Sequence, residues 1–267
     1  MPQTFPRFLT TTATTWTGLF GLLWLVSLSD TIGSLPGRLT FSITFLLLVC
    51  GVLLVATLAG KASPSIRSGA AVALWAALAA YAAMSLIESR PPLAFAVGGV
   101  LLAGSTWLTA SLGREVISPT YLWPLVVVVV CFDFWSVFSP DGVSHQLVTA
   151  PEGPAMFNFL VFTVPIPGMG LQPVLGIGDA LFLGFMAGAV HRLDLPPRRF
   201  LSGVVAGFLL CLVALLIWEK PLPALIFVAP AAAIALGRSI PTSPKEMLTA
   251  LAFVTLIFGT KALLTGI

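Results

Sequence analysis

Two aspartates, Asp133 and Asp179, lie inside stretches of the sequence that are otherwise apolar. The first occurs in VVVVCFDFWSVF and the second in VLGIGDALFLGF. A carboxylate at membrane depth costs about 3 kcal/mol on insertion scales, so acids in such positions are rare and usually functional. Of the ten acidic residues, the other eight fall in or beside polar breaks. Two exceptions of the same type indicate one shared role.

A pair of neighbouring carboxylates has the chemistry for peptide hydrolysis without a metal. Both cannot easily ionise, so one keeps a proton while the other stays charged. The ionised carboxylate takes a proton from water, and the protonated one donates to the scissile carbonyl. Asp133 and Asp179 are the residues that this chemistry would use.

The composition predicts an all-α polytopic membrane protein. The chain of 267 residues is 58% hydrophobic and 9% charged, with a mean hydropathy of +1.04, whereas a soluble domain carries about 25% charged residues. No basic stripe with interleaved aromatics is present, so nucleic-acid binding is not expected. The three cysteines lie in apolar segments, and His145 and His191 belong to no ligand motif, so neither a metal nor a cofactor is expected.

About nine segments are apolar and long enough to predict transmembrane helices, which need about 20 residues each. They cover residues 14–29, 40–60, 69–87, 93–112, 119–138, 172–191, 200–218, 221–237 and 247–265. The first and eighth are short. The eighth begins with Pro221 and also carries Pro223, so its first turn is expected to be irregular. No cleavable signal peptide is evident, and the first apolar stretch is interpreted as the first span.

The distribution of basic residues predicts the orientation, because lysine and arginine concentrate on the cytoplasmic side. With nine spans, one side collects Arg7, Lys61, Arg67, Arg114, Arg192, Arg198, Arg199, Arg238 and Lys245, and the other collects Arg38, Arg90, Lys220 and Lys261. This bias predicts a cytoplasmic N-terminus and an extracytoplasmic connection at residues 139–171. Within that connection, residues 154–167 are rich in Phe and Val and bounded by prolines. The segment is interpreted as a short β-strand, or alternatively as a re-entrant or interfacial loop.

The predicted orientation gives both aspartates a similar depth. Asp133 lies five residues before the outer end of the fifth span, and Asp179 lies seven residues into the sixth. At about 1.5 Å rise per helical residue, the carboxylates come to roughly 8 and 10 Å below the outer surface. Two acids at matching depth on consecutive antiparallel helices are the arrangement that a shared site requires.

Two further motifs accompany the acids. Gly176 and Gly178 in GIGD remove side chains next to Asp179, so that backbone or substrate can approach closely. Taken alone, such glycines are also typical of ordinary helix packing. The sequence Pro223-Ala224-Leu225 opens the eighth span on the same side as both acids. A helix start disrupted by proline leaves backbone groups unpaired, which is tolerable only beside protein or a water-filled cavity; a proline at a helix N-terminus is also common.

These elements together resemble the intramembrane aspartyl proteases of the presenilin and signal peptide peptidase family. The family carries Tyr-Asp, Gly-x-Gly-Asp and Pro-Ala-Leu in that order, matched here by Phe132-Asp133, by GIGD ending at Asp179, and by the segment from Pro223 to Leu225. The resemblance covers about residues 120–240. The ordered set of three motifs is specific, whereas each motif alone is weak.

The resemblance implies a presenilin-like bundle in which Asp133 and Asp179 are the catalytic pair. It also implies a wall of the active site, or contacts to the substrate, from Phe132, Gly176, Gly178, Pro223, Ala224 and Leu225. In the family, the loop between the aspartate helices can add a strand to an unwound substrate, and residues 154–167 correspond to that edge. The implied division is a scaffold of N-terminal helices at 1–115, a catalytic core at 116–240 and an additional C-terminal helix at 241–267.

The chain departs from the family pattern at several points. Phe132 replaces the family's tyrosine, so a hydroxyl role is lost there. Five spans rather than six precede the first aspartate, and one extra span follows the Pro-Ala-Leu segment. The extracytoplasmic loop is similar to the signal peptide peptidase branch. The expected substrates are therefore transmembrane helices with a cytoplasmic N-terminus, including signal peptides, and no obligate subunit is evident.

Other functions fit parts of the same pattern. A proton- or ion-coupled transporter could use the two intramembrane aspartates, although no internal repeat is found. A prepilin-peptidase-like protease also uses a GxGD aspartate, but a lysine is expected shortly after it, and none occurs between Lys61 and Lys220. An inactive family member acting as a membrane scaffold is the remaining alternative.

Overall fold

The computed structural model describes residues 5–27, 36–62, 65, 68–69, 71–76, 91–140, 142, 145–146, 161–166, 170–218 and 222–265. These residues are mostly helical, as predicted. The helices are α1 (Phe5–Ser27), α2 (Gly37–Ala62), α3 (Pro91–Gly113), α4 (Leu122–Phe138), α5 (Ile177–Arg192), α6 (Pro197–Trp218), α7 (Leu225–Leu236) and α8 (Pro244–Thr265). Short 3₁₀ turns at Pro119–Tyr121 and Gly237–Ser239 precede α4 and follow α7. Residues 71–76, inside the third predicted span, are also helical.

Within the described part of the chain, three helical segments are long and apolar enough to cross a membrane: Gly37–Ala62, Pro119–Phe138 and Pro197–Trp218. They correspond to the second, fifth and seventh predicted spans. The larger number of nine spans stays a prediction. The eighth predicted span, 221–237, contains a helix of only 12 residues. Residues 222–224 are not helical, and Pro230 lies inside α7, where it removes one backbone donor.

The sixth predicted span, 172–191, is wrong in its first five residues. These form the second strand of a hairpin made of β1 (Val161–Ile166) and β2 (Gly170–Gly176), and the helix begins only at Ile177. The strands are antiparallel, from Val161 opposite Gly176 to Ile166 opposite Gly170. A short apolar run fits a helix and a strand equally well, and here the pairing with β1 decides the outcome. The predicted strand in 154–167 is confirmed at 161–166, and residues 154–160 lie outside the described part of the chain.

The chain divides into two compact units. Unit 1 comprises Met1–Glu115 and Leu147–Arg192, and unit 2 comprises Val116–Gln146 and Leu193–Ile267. The predicted division into a scaffold region 1–115, a core region 116–240 and a C-terminal helix 241–267 stays a prediction. The predicted core region 116–240 contributes to both units, and 241–267 belongs to unit 2. Each unit carries one of the two aspartates.

In unit 1, α5 packs closely against α2 and α3 through glycines. A Cβ built at Gly184 would lie 2.8 Å from Thr106 Cα of α3, and one at Gly188 would overlap the backbone of Ala110. A Cβ at Gly60 of α2 would lie 2.8 Å from the Ala187 carbonyl oxygen. Gly184 and Gly188 form a Gly-x-x-x-Gly pair, the spacing that lets two helix backbones approach in membranes. The glycines therefore hold the helix that carries Asp179 tightly in unit 1.

The C-terminal ends of α2, α3 and α5 meet at one end of unit 1. Arg114, just after α3, donates from Nη1 to the Gly60 carbonyl near the end of α2, at 3.0 Å. Burial, and then the charge of Arg192 at the end of α5, lower the pKa of the Arg114 guanidinium from its ordinary value. Phe8, near the start of α1, lies with its ring centroid 4.4 Å from that of Trp107, near the end of α3. The three helices are therefore parallel, and α1 runs against them.

The hairpin lies toward the opposite end of unit 1. Phe162, Val164 and Ile166 alternate along β1, and all three are buried. The Phe162 ring meets Trp16 of α1 edge-on at 6.1 Å between centroids. Gly98, in the first half of α3, faces the same Phe162 ring. The hairpin therefore has one face fixed in the core, and it leads directly into the start of α5.

Unit 2 is built from α4, α6, α7 and α8. A second Gly-x-x-x-Gly pair, Gly203 and Gly207 of α6, packs on α7, where added Cβ atoms would lie 2.6 Å from the Ala231 oxygen and 2.5 Å from Val228 Cα. Helix α4, which carries Asp133, packs against α7 and α8. The C-terminal helix α8 is therefore a wall of the unit that contains Asp133.

Candidate functional site

Asp179 lies in the first turn of α5 and is 8% exposed. Its Oδ2 accepts the backbone N–H of Gly176 at 3.1 Å. Gly176 immediately precedes the helix, so the acid at the third helical position reaches back to the capping residue, as in one half of a capping box. The partial positive charge of a helix N-terminus also favours an ionised carboxylate there. The strand-to-helix junction thus fixes the Asp179 carboxylate.

This position changes the depth predicted for Asp179. The estimate of about 10 Å assumed seven helical residues before the acid, at about 1.5 Å each. The structure has strand β2 up to Gly176 and only two helical residues before Asp179. Extended residues rise about 3.3 Å each, so the helical estimate is wrong for this segment.

The two glycines beside Asp179 differ in what surrounds them. A Cβ built at Gly176 would touch Asp179 Oδ2 at 3.4 Å, which is ordinary contact. Apart from its chain neighbours and its own helix backbone, a Cβ at Gly178 would meet nothing within 4 Å, and Gly178 is exposed. The position next to Asp179 in the sequence therefore faces open space.

Asp133 lies on α4, five residues before the helix ends at Phe138, and is half-buried. Its Oδ2 accepts the backbone N–H of Leu225 at 3.0 Å. Leu225 is the first residue of α7, so its N–H is one of the donors that an α-helix leaves without an internal partner. The residue before it, Ala224, provides no side-chain cap. Asp133 therefore does the capping from another helix.

This bond brings two of the three predicted motifs together. Phe132, beside Asp133, is half-buried on α4 and has no hydroxyl. Pro223 is buried, Ala224 is half-buried, and Leu225 is 5% exposed. In unit 2 the Pro-Ala-Leu segment thus packs at the Asp133 carboxylate. The third motif, Gly176, Gly178 and Asp179, belongs to unit 1.

A hydrogen-bond chain that the sequence interpretation missed ties α8 to the start of α4. Thr120, in the 3₁₀ turn before α4, donates to Glu246 Oε1 at 3.1 Å. Ser118 and Thr120 share a further hydroxyl–hydroxyl bond of 2.9 Å. Glu246 Oε2 is buried without a partner among the described residues. No sequence signal links these two segments, which are 126 residues apart.

Two other features had signals in the sequence. The Gly-x-x-x-Gly spacings at Gly184 and Gly188 and at Gly203 and Gly207 are visible there. The hairpin is signalled by two apolar runs around Pro167-Gly168, since a short connection with glycine is typical of hairpins. As a result, strand β2, and not a helix, directly precedes the helical turn that carries Asp179.

Among the described residues, no three His, Cys, Asp or Glu side chains lie together in a way that could hold a metal ion. No protein-family model matches the chain, and neither does any curated protein or solved structure. Each unit therefore offers one carboxylate that is bonded to a backbone N–H at a helix N-terminus: Asp179 in unit 1 and Asp133 in unit 2.

Proposed function

We propose that this protein is an intramembrane aspartyl protease of the presenilin and signal peptide peptidase type. Asp133 and Asp179 act together as general base and general acid on a peptide bond within a transmembrane segment. The observation that carries the proposal is the bond from the Leu225 N–H to Asp133 Oδ2 at 3.0 Å. This bond joins the first and third of the three ordered motifs, which are 92 residues apart in the chain. Motifs that occur together only by chance would not be expected to contact each other.

Two further observations support the proposal. A backbone N–H donates to Oδ2 of each carboxylate, which orients the side chain. Gly178, the residue before Asp179, faces open space, where a substrate backbone is proposed to approach. No metal or other cofactor takes part in the proposed reaction, because the charged carboxylate activates water and the protonated one polarises the carbonyl.

The hairpin supplies the proposed substrate-binding edge. An unwound substrate adds an extended strand to a sheet edge, and main-chain hydrogen bonds then provide affinity with little sequence specificity. Strand β2 continues into the first turn of α5, which holds Asp179. A strand bound along β2 is thereby led to the carboxylate.

The proposed orientation places the basic end of unit 1 in the cytoplasm. Arg7, Lys61, Arg114 and Arg192 all lie toward the end where α2, α3 and α5 finish, opposite the hairpin. Under the positive-inside rule the hairpin then faces the extracytoplasmic side. Substrates are transmembrane helices whose N-terminus is cytoplasmic, such as signal peptides, and the partners are these helices and the bilayer. No obligate subunit is proposed.

The test is cleavage of a membrane-embedded synthetic signal peptide by the purified protein in detergent. Asp133→Asn and Asp179→Asn are the sharpest variants, because an amide oxygen still accepts the backbone N–H while the acid is lost. Asp194→Asn is the matched control, since Asp194 is exposed and its φ of 51° suits asparagine. We expect wild type and Asp194→Asn to cleave the peptide, and we expect no cleavage by Asp133→Asn or Asp179→Asn.

Equal cleavage by all four proteins would overturn the proposal. If none of them cleaves the peptide, the alternative of proton- or ion-coupled transport is tested with the same variants. Uptake by reconstituted vesicles that is lost on Asp133→Asn and Asp179→Asn would then assign the two acids to transport.

A further inference from the structure

Unit 2 contains an apolar cleft between α4, α7 and α8. Its volume is about 500 Å³, and most of its lining comes from one face of α4, including Cys131, Phe134 and Phe138. Ile226 of α7 and Val254 of α8 complete the walls. Hereafter this space is called the α4 cleft. It does not include the Asp133 carboxylate.

The lining decides which kind of molecule can occupy the α4 cleft. A bound water needs about two to four polar partners, whereas the polar side-chain groups among the lining residues are the Cys131 thiol, the Trp135 indole N–H and the Ser139 hydroxyl, and the rest of the lining is apolar. A charged ligand would find no counter-charge. An empty space of this size would forfeit dispersion contacts along all its walls. A hydrocarbon chain is therefore the occupant that best matches the apolar side chains of this lining.

The cleft also has a direction. The lining residues run along α4 from Val130 to Phe138, eight positions or about 12 Å of helix. Helix α4 lies within Pro119–Phe138, a segment that is long and apolar enough to cross a membrane. Ser139 follows the end of that segment, so the hydroxyl lies where a span meets the headgroup region. The cleft therefore runs along the span, with an apolar interior and a polar end at the membrane surface.

We propose that the α4 cleft binds the acyl chain of a membrane lipid, with the chain along α4 and the polar end of the lipid beside Ser139. The size falls within the range of about 300–1,000 Å³ that is typical of small-ligand sites. The site goes beyond the proposed protease function and requires no cleavage. One wall, Ile226, adjoins Leu225, whose N–H is bonded to Asp133. A bound lipid therefore supports the first turn of the helix that Asp133 caps.

Native mass spectrometry tests the site by counting the lipids bound to the whole protein. The protein is titrated in detergent with phosphatidylglycerol of a single chain composition and then released from the detergent in the spectrometer. Wild type is expected to retain one lipid per chain. Val254→Trp fills the cleft and is expected to lower that occupancy at least fivefold. Leu248→Trp on the same helix is the control, because Leu248 is 69% exposed and does not line the cleft. Equal occupancy in all three proteins would overturn the proposal.

Thiol alkylation gives a second measurement on the wild-type chain, so a folding defect of Val254→Trp would not decide the matter. Cys131 lines the cleft, Cys50 is exposed on α2, and Cys211 is buried. Phosphatidylglycerol is expected to slow alkylation of Cys131 at least fivefold while leaving Cys50 unchanged. Equal rates of Cys131 alkylation with and without lipid would rule the lipid out as occupant. Equal slowing of Cys131 and Cys50 would do the same, because it would show general shielding by lipid and not occupancy of the α4 cleft.

Discussion

Asp133 caps the helix that begins at Leu225, although the two residues are 92 positions apart in the chain. The N-cap residue of that helix, Ala224, has no side-chain acceptor, and alanine is among the poorest capping residues. One carboxylate thus completes a helix terminus and also belongs to the proposed catalytic pair. A substitution at Asp133 affects stability and chemistry together, and the two effects have to be separated by the choice of replacement.

Asp133→Ala is expected to lower the free energy of unfolding by about 1 kcal/mol, the usual effect of losing an N-cap acceptor. Asp133→Asn retains an acceptor and is expected to lose much less. Both variants are expected to lower the rate of cleavage at least a hundredfold, which is the scale of general acid–base catalysis. Thermal unfolding in detergent, followed by tryptophan fluorescence, measures the first difference. Equal midpoints for the Ala and Asn variants would contradict the capping role.

Gly178→Ala is expected to slow cleavage without loss of stability. Apart from its chain neighbours and its own helix backbone, the added methyl group meets no atom within 4 Å, and replacing a helical glycine by alanine commonly stabilises by about 0.4–1 kcal/mol. The methyl group would, however, occupy the open space at Gly178 that the substrate backbone is proposed to use. The ratio of kcat/KM to wild type, measured beside the unfolding midpoint, checks this. Full activity in Gly178→Ala would show that the open space has no role in substrate approach.

Gly188→Ala is expected to have the opposite profile. Its Cβ would overlap the Ala110 backbone, so α3 and α5 would have to move apart, and overpacking of this kind typically costs about 1–3 kcal/mol. The unfolding midpoint should fall, in contrast to Gly178→Ala in the same helix. An unchanged unfolding midpoint would show that α3 and α5 are farther apart at Gly188 than in this structure.

Thr120→Val is expected to destabilise unit 2. The substitution keeps the shape of the side chain but removes the donor to Glu246 Oε1, whose carboxylate already has one buried oxygen without a partner among the described residues. Leaving a buried acceptor unpaired costs about 1–3 kcal/mol. Thr120→Ser restores the hydroxyl and should recover most of the loss. If the Val and Ser variants unfold at the same temperature, the hydroxyl does not stabilise the contact between α4 and α8.

Cleavage is expected to fall at alkaline pH. The proposed mechanism needs one protonated and one ionised carboxylate, so activity is lost on the high-pH side once the shared proton leaves. Initial rates across a series of buffers measure the profile, and the unfolding midpoint in the same buffers shows whether the protein stays folded. A rate that is flat from acidic to alkaline buffer would argue against a shared proton.

The mostly helical class could be predicted from the sequence because long apolar runs separated by Pro, Gly and charges have few alternatives in lipid. The motif residues could also be located, since Asp133 and Asp179 are the acids inside apolar runs. The apolar character of Leu175 and its neighbours did not decide the structure of β2, because such a run suits either a helix or a strand. The pairing with β1 decides it, and the two apolar runs around Pro167-Gly168 are the sequence signal for that pairing.

Long-range hydrogen bonds were also beyond prediction. Nothing around Leu225 indicates which side chain receives its N–H, and the disrupted start of α7 predicted only that some partner was needed. The bond between Thr120 and Glu246 likewise depends on how α8 packs on α4. In contrast, the two Gly-x-x-x-Gly pairs were present in the sequence, and attention to their spacing would have identified which helix faces are in close contact.

The shortness of α7 has a consequence for the bilayer if the eighth predicted span crosses it, as the proposed function requires. The 12 residues of α7 extend about 18 Å, whereas the hydrocarbon core of a typical membrane is about 30 Å thick. Hydrophobic mismatch of this kind is relieved by local thinning of the membrane, which brings the aqueous phase closer to the helix end. The end in question is Leu225, beside Asp133. A thin bilayer would therefore suit the proposed protease better than a thick one. The acyl-chain length of the surrounding lipid would then determine how much water reaches the Asp133 carboxylate.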